Sequence, residues 1–296
     1  MGKSLGSYTW TMSLTLRPGT TQDAEPCGRI CHSAFYTIAE KHGFPSDIPS
    51  AEVGVGLASM LLGHPGFYSV VAESDGKIVG SNFLDERSQI AGVGPITIDP
   101  EAQNRGTGRA LMQDVLDRAH ERRFPGVRLL QAAYHARSLS LYAKLGFEVR
   151  QLVATIQGPA ILASIPGYSV RAASEDDAEE CNHLCRRVHS HDRAGELADA
   201  IKQGTATVVE RHGKITAYST GLAFFSHSVG ETNDDLKALI SAAAEFQGPG
   251  FLLPTSNGEL LRWCLQQNLQ VVHMMTLMTT GLYSEPAGAY LTSVLY

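Results

Sequence analysis

"TIDPEAQNRGTGRALMQDVLDRAHERR", Thr97 to Arg123, is the stretch on which the reading of this chain turns. Gly106 and Gly108 stand between Arg105 and Arg109 and run into a segment whose Leu111, Met112, Val115, Leu116 and Ala119 share one helical face. Residues 93–98 before it read as a strand. A strand, a glycine turn and a helix start together make an anion seat. The first helical amides have no partner, the helix dipole adds partial positive charge, and glycines let a phosphate approach the backbone. Arg105 and Arg109 can add point charges. Two familiar phosphate signatures fail on inspection. A P-loop needs Lys-Ser/Thr after its last glycine, where Arg109-Ala110 follows; a dinucleotide fingerprint needs a third glycine where Leu111 stands. An ordinary strand-to-helix turn is the other reading of the segment taken alone.

Composition narrows the classes around this loop. The 296 residues are comfortable for two domains, and 43% hydrophobic with 18% charged content supports packed cores. No apolar run approaches the ~18 residues that span a bilayer, and the N-terminal segment has no continuous apolar centre, so no membrane and a cytoplasmic location are expected. A net charge of −6 with only short basic clusters argues against nucleic acid. Five cysteines without secretory context read as free thiols. The spacing of Cys27/Cys31 and Cys181/Cys185 puts each pair on one helix face, where buried packing is a better account than zinc; no metal is expected.

Those cysteine pairs belong to a repeat. "RPGTTQDAEPCGRICH" (Arg17–His32) and "RAASEDDAEECNHLCR" (Arg171–Arg186) share six identities in sixteen positions. "AESDGKI" (Ala72–Ile78) and "VERHGKI" (Val209–Ile215) each follow β-branched residues and read as hairpins. Two copies of one architecture follow, spanning 13–157 and 168–296, with the boundary in "QGPAILASIPGYS" (Gln157–Ser169). For the first copy the expected order is a strand (13–17), a helix (20–41), a variable, partly looped segment (42–66), a hairpin (67–84) and a strand (91–98). A helix (107–123), a strand (127–133), a helix (136–146) and a final hairpin or strand (147–157) complete it. The fold class is mixed α/β, a partly splayed sheet flanked by helices in each copy.

"QNRGTG" (Gln103–Gly108) resembles the Q/R-x-x-G-x-G/A pyrophosphate loop of the GNAT superfamily of N-acetyltransferases, which also follows a strand and opens a helix. A second signature lies about 35 residues on: "HARSLSLYAKLGFEV" (His135–Val149) resembles the family's N-x-x-A-x-x-L-Y-x-K-L-G-F. Leu141, Tyr142, Lys144, Leu145, Gly146 and Phe147 match, while Ser138 stands where Ala is common and His135 where Asn is common. The resemblance implies acetyl-CoA as co-substrate. Its pantetheine would lie along Ile96, Thr97 and Ile98, and its pyrophosphate on Gln103, Asn104, Arg105, Gly106, Thr107, Gly108 and Arg109, with Ser138 nearby. It implies Tyr142 as the catalytic acid: a phenol of pKa about 10 can protonate the departing thiolate, whose thiol has a pKa of about 8.5. Packing on the helix face is the alternative account of Tyr142. Gly146 is expected to cap that helix.

An alkylammonium of pKa about 10.4 is almost wholly protonated at pH 7, so a proton acceptor is also needed. Asp85, Glu86 and His135 are candidates. The acceptor is expected to be a small-molecule primary amine, chosen by residues 41–66 with His42, Phe44 and Asp47; a protein N-terminus or lysine is the alternative. A monomer or homodimer is expected. In the second copy Asp234 and Asp235 replace Gly106 and Thr107, and Leu236 replaces Gly108, while Cys264 replaces the tyrosine. Carboxylates there would repel a pyrophosphate. That copy reads as a scaffold and a wall of the substrate pocket. A non-catalytic acyl-CoA sensor or interaction module is the competing function.

Overall fold

The structure, a computed structural model, describes residues 14–295. Residues 1–13, which carry most of the N-terminal segment read above, and Tyr296 lie outside the described residues.

The first copy opens with β1 (Leu14–Pro18) and α1 (Ala24–His42), entered through a short turn that Thr20 and Asp23 cap reciprocally. Next come α2 (Ala51–Gly63), the hairpin β2 (Phe67–Ser74) and β3 (Lys77–Asp85), then β4 (Ala91–Val93) and β5 (Thr97–Ile98). α3 (Thr107–Glu121), β6 (Gly126–Ala132), α4 (Ala136–Lys144) and β7 (Glu148–Gln157) complete it. The second copy runs β8 (Ser169–Ala172), α5 (Ala178–His189), α6 (Ala194–Gln203), β9 (Thr207–Arg211), β10 (Lys214–Ser219) and β11 (Ser228–Gly230). It ends with α7 (Asn233–Ala242), β12 (Phe251–Pro254), α8 (Gly258–Gln266), β13 (Gln270–Gly281) and β14 (Ala289–Leu291).

The repeat is visible atom by atom. Arg17 donates to both Asp23 oxygens at 2.8 Å and to Glu73 at 2.9 Å. Arg171 donates to both Asp177 oxygens at 2.7 and 2.8 Å and to Glu210 at 2.9 Å. The identities retained between copies therefore include one bidentate clamp, which ties the entry of the first helix to the central hairpin. The five thiols are buried, and burial pushes those of Cys31, Cys181 and Cys264 up to about 12. Such sulfurs pack as small apolar groups.

The strands of the two copies are interleaved. One sheet runs β1-β2-β3-β4-β6-β13-β7-β12, with β5 on β3; the other runs β14-β11-β10-β9-β8. β13, from the second copy, lies between β6 and β7, pairing Leu277 with Leu130 and Met278 with Val149. β7, from the first copy, lies in turn between β13 and β12. Each copy thus lends a long strand to the other, and Met278 joins the buried cluster of Leu111, Met112, Val115 and Leu129. Among the described residues, no helix is long and apolar enough to cross a membrane.

Two expectations change. The segment 42–66, read as partly looped because of its glycines, contains the helix α2, whose N-terminus Ser50 caps by accepting from Val53 N. One of those glycines makes the helix crossing possible: a Cβ on Gly28 would lie 2.3 Å from Val55 Cα, and one on Gly54 2.3 Å from the Gly28 carbonyl oxygen. Gly28→Ala is expected to cost about 2 kcal/mol by forcing α1 and α2 apart, lowering the midpoint of chemical denaturation. An unchanged midpoint would mean that the helices separate freely. The strand expected over 91–98 is broken into β4 and β5 by Gly94, Pro95 and Ile96; the Gly94–Pro95 bond is cis and Gly94 has φ +138°. The final element of the first copy is one strand, β7, with no hairpin.

Candidate active site

The break between β4 and β5 opens the sheet. β4 runs parallel to β6 only at Ala91/Val127 and Gly92/Arg128. Beyond that point residues 94–98 turn to pair with β3 alone, while residues 129–132 of β6 pair with β13. Both diverging segments line a cavity of about 1930 Å³. Along its wall, the edge of residues 96–98 facing away from β3 carries no strand among the described residues.

The glycine loop forms the next part of that wall. Gly106 sits at the N-cap of α3 in the left-handed region (φ +88°), with no side-chain cap on the helix. No atom lies within 4 Å of a Cβ built there. The start of α3, Gly106 to Arg109, thus lines the cavity without a side-chain cap, with the positive end of the helix dipole behind it, an arrangement suited to an anion. α3 is held by burial of Leu111, Met112, Val115 and Ala119, each worth roughly 1–3 kcal/mol for the larger side chains. Its start is thus fixed by packing and needs no polar cap.

Ile96, Thr97, Ile98, Gln103, Asn104, Gly106, Thr107, Gly108, Arg109, Ser138 and Tyr142, separated by up to 46 positions in sequence, all line this one cavity. Arg105 does not. Gln103 and Asn104 have partners of their own: Arg137 donates to Gln103 Oε1 at 2.6 Å and to Asn104 Oδ1 at 3.3 Å. Arg137, which also lines the cavity, was missed in the sequence because it falls at a variable position of the second motif. Its exposed guanidinium places positive charge across the loop.

Tyr142 stands in α4 with 6% of its surface exposed, its ring 6.2 Å from that of Phe147. Burial pushes its phenol up to about 12, against the opposing effect of a hydrogen bond with Ser138. Gly146 follows with φ +89°, as a helix-ending glycine does. His135, at the N-cap position of α4, bonds Ser138 Oγ through Nδ1 at 2.7 Å. Burial, with the charges of Arg137, His42 and Lys41, pushes its imidazole down to about 4.

Of the other candidate proton acceptors, Asp85 is clamped by Arg87 at 2.6 and 2.9 Å, and Glu86 by Arg118 at 2.7 and 3.1 Å. Neither lines the cavity, whereas His135 does. In the variable segment, His42 and Asp47 line the cavity, and Phe44 stacks on Tyr134 with centroids 4.7 Å apart. Asp47 also accepts from His273 Nε2 of β13 at 2.8 Å, a contact between copies that sequence order concealed.

The far side of the cavity is built by the second copy. Phe224, Phe225 and Leu295 add apolar surface to the lining, as Phe35, Leu57 and Met60 of the first copy do. Gly92 of β4 is glycine for a reason: a Cβ there would lie 2.1 Å from the Leu295 carbonyl oxygen. At the polar end Asp199 of α6 accepts from Arg87 at 2.8 Å and lies 3.2 Å from His64 Nε2.

The corresponding place in the second copy is closed. β14 pairs with β11 and bridges to β12 at Leu252/Thr292, occupying the gap that the first copy leaves between β4 and β6. α7 is capped by its own Asp235, fully buried, whose carboxylate accepts from Thr232 N at 2.8 Å and from the Thr232 hydroxyl at 2.6 Å. A third donor, the Thr216 hydroxyl, also reaches this carboxylate, so a buried negative charge stands at the start of α7.

Residues 65–149 match the family model described as the acetyltransferase (GNAT) domain. No match is found among curated protein sequences. Among solved structures, the chain is similar to a Pyrococcus horikoshii protein described as a candidate acetyltransferase, at 16% identity and TM-score 0.72, covering 97% of this chain and 95% of that one. It is also similar to a GCN5-related N-acetyltransferase from Sphaerobacter thermophilus, at 15% identity and TM-score 0.61, with 92% and 96% covered. A tandem GNAT protein from the clavulanic acid biosynthesis pathway matches at 15% identity and TM-score 0.58 over 91% of this chain and 98% of that one. Residues 65–149 therefore carry a GNAT acetyltransferase domain, set in a chain whose mixed α/β fold is that of tandem GNAT structures.

Proposed function

We propose that the protein is an N-acetyltransferase that moves an acetyl or other short acyl group from acetyl-CoA to a primary amine. Both substrates are bound together and the amine attacks the thioester directly. The observation that carries this reading is the convergence, in one cavity, of an uncapped helix start at Gly106, an unpaired strand edge at residues 96–98 and the buried Tyr142. The open space before Gly106 and the free amides of α3 fit a pyrophosphate. The strand edge fits the amide groups of a pantetheine arm, bound as an added strand.

The chemistry then follows from these residues. Thr107, Gly108 and Arg109 hold the phosphates through main-chain N–H groups. The neutral amine adds to the thioester carbonyl, and the carbon–sulfur bond breaks as the intermediate collapses. Tyr142 donates its hydroxyl proton to the departing sulfur, and the proton shed by the amine nitrogen returns the phenolate to its neutral form, so one proton is released and one consumed per turnover. Its raised pKa keeps the phenol protonated across the working range, and this acid function is lost only as pH rises through about 12. The amine side imposes the opposite limb, so activity is expected to rise with pH toward the pKa of the acceptor.

The apolar walls supplied by both copies favour an amine carried on an apolar body. Screening a library of primary amines for release of free CoA tests the activity. Failure of every amine, with acetyl-CoA binding intact, would leave a non-catalytic acyl-CoA-binding module as the function. A separate expectation concerns stoichiometry: calorimetry should give one acetyl-CoA per chain. Two would contradict closure of the second copy by β14 and Asp235.

A further inference from the structure

Asp47 is a carboxylate to which the transfer reaction, as described so far, gives no task. It lies between α1 and α2, 8% exposed, and lines the shared cavity. His273 Nε2 of β13 donates to Asp47 Oδ1 at 2.8 Å, and no other hydrogen bond or ion pair from a described residue reaches the carboxylate. Lys41 and His42 line the same cavity, and neither forms an ion pair with it. His273 Nδ1 is buried without a partner. A neutral ring tolerates that as a bare lone pair, whereas an imidazolium would bury a bare charged N–H. Nε2–H therefore donates, and the pair keeps one negative charge. A nearly buried carboxylate held by a single neutral donor is costly unless a cation joins it.

The wall beside Asp47 is aromatic. Tyr134 lines the cavity, stacked on Phe44 with centroids 4.7 Å apart and met edge-on by His273 at 6.1 Å. Burial and the Asp47 charge push the Tyr134 phenol up to about 12, so a neutral ring stands within the field of that carboxylate. A carboxylate and aromatic surface together suit an alkylammonium. Resting on the acyltransferase reading, we infer that Asp47 and Tyr134 seat a second, unreactive ammonium of the acceptor, whose two nitrogens are set apart by an apolar spacer. The seated nitrogen is not the attacking one. An opposite charge at hydrogen-bond distance favours the protonated form, and the attacking nitrogen must be neutral. The spacer suits the apolar side chains of Ile48, Leu57 and Met60 on the same wall. His273 acts through Asp47 as a positioning residue, which gives the second copy a part in choosing the substrate.

The test compares α,ω-diamines of increasing length with monoamines of the same carbon count, reading kcat/KM by CoA release. The parent protein is expected to favour the best diamine at least about tenfold, as one charge-assisted hydrogen bond allows. Asp47→Asn keeps the size of the side chain and an acceptor for His273 but loses the charge. It is expected to bring diamine and monoamine within about twofold of each other. Asp47→Glu keeps the charge on a longer arm, so the preferred diamine should become shorter. The seat is overturned if the parent does not prefer diamines, if Asp47→Asn keeps the preference, or if the length optimum ignores Asp47→Glu. Equal losses for both amines overturn it too, since Asp47 would then serve the fold or the reacting nitrogen. Calorimetric titration of the same diamine into the CoA-loaded protein separates this inference from the reading beneath it. Asp47-dependent binding without turnover of any amine sinks the acyltransferase reading and keeps the seat. Equal turnover of monoamines and diamines sinks the seat and keeps the acyltransferase.

Discussion

Gly108→Asp is expected to weaken acetyl-CoA binding at least a hundred-fold by calorimetry while leaving the thermal midpoint unchanged. Gly106 would be the poorer choice, because its left-handed backbone strains any side chain and confuses lost binding with lost structure. Gly108 lies within the first turn of α3, and a Cβ there meets only the tip of Ile98 at 3.1 Å and of Leu141 at 3.6 Å. Those tips can give way. A carboxylate in the first turn even favours the helix, by roughly 0.3–1 kcal/mol through the dipole. The same charge is ruinous for a ligand pyrophosphate: two unit charges 4 Å apart repel by about 4 kcal/mol at an effective dielectric of 20. The second copy shows that carboxylates are tolerated at such a helix start: α7 keeps its helix with Asp234 and Asp235 in its first turn, and Asp235 completes a capping box with Thr232. Undiminished binding by Gly108→Asp would remove the phosphates from this loop.

How far the sequence could be read follows from the range of the forces involved. The loop and the second motif were legible because each is local: a strand end, a glycine turn, an amphipathic face. The repeat was legible because Arg17/Asp23 and Arg171/Asp177 are short-range clamps that keep their residue types. What could not be read is what depends on distant partners. Nothing in "QVVHMMTLMTTG" says that it will lie between β6 and β7, since a buried strand shows the same apolar pattern whichever neighbours it has. The same limit hid Asp47–His273 and which residues, Phe224 and Leu295 among them, would form the pocket wall expected of the second copy. The helix α2 was obscured by its glycines, one of which, Gly54, is required by the crossing with α1, itself a tertiary contact. Asp235 shows the point from the other side. Charge alone marked it as hostile to phosphate, but only the structure reveals that its carboxylate is buried and held by Thr232 and Thr216.

Tyr142→Phe is expected to lower the rate of CoA release about a hundred-fold, ~2.7 kcal/mol of barrier, with little change in acetyl-CoA affinity. The substitution is close to isosteric, and the ring keeps its contact with Phe147, so the core around α4 is preserved. Tyr142 lines the cavity, and Ser138 keeps its 2.7 Å hydrogen bond with His135 Nδ1 when the phenol hydroxyl is removed. A structural role for the hydroxyl would therefore appear as a small stability change with normal turnover. A catalytic role predicts the reverse: normal stability, normal binding and slow release of thiol. The leaving group supplies an independent check. Acyl donors whose thiols are more acidic need less help in departing, so the penalty from Tyr142→Phe should shrink as the thiol pKa falls. A penalty independent of the leaving thiol, or no penalty at all, would make Tyr142 a packing residue. With a phenol held up near 12, no descending limb assigned to Tyr142 is expected below that region in the parent enzyme. Any alkaline loss at lower pH would belong to another group.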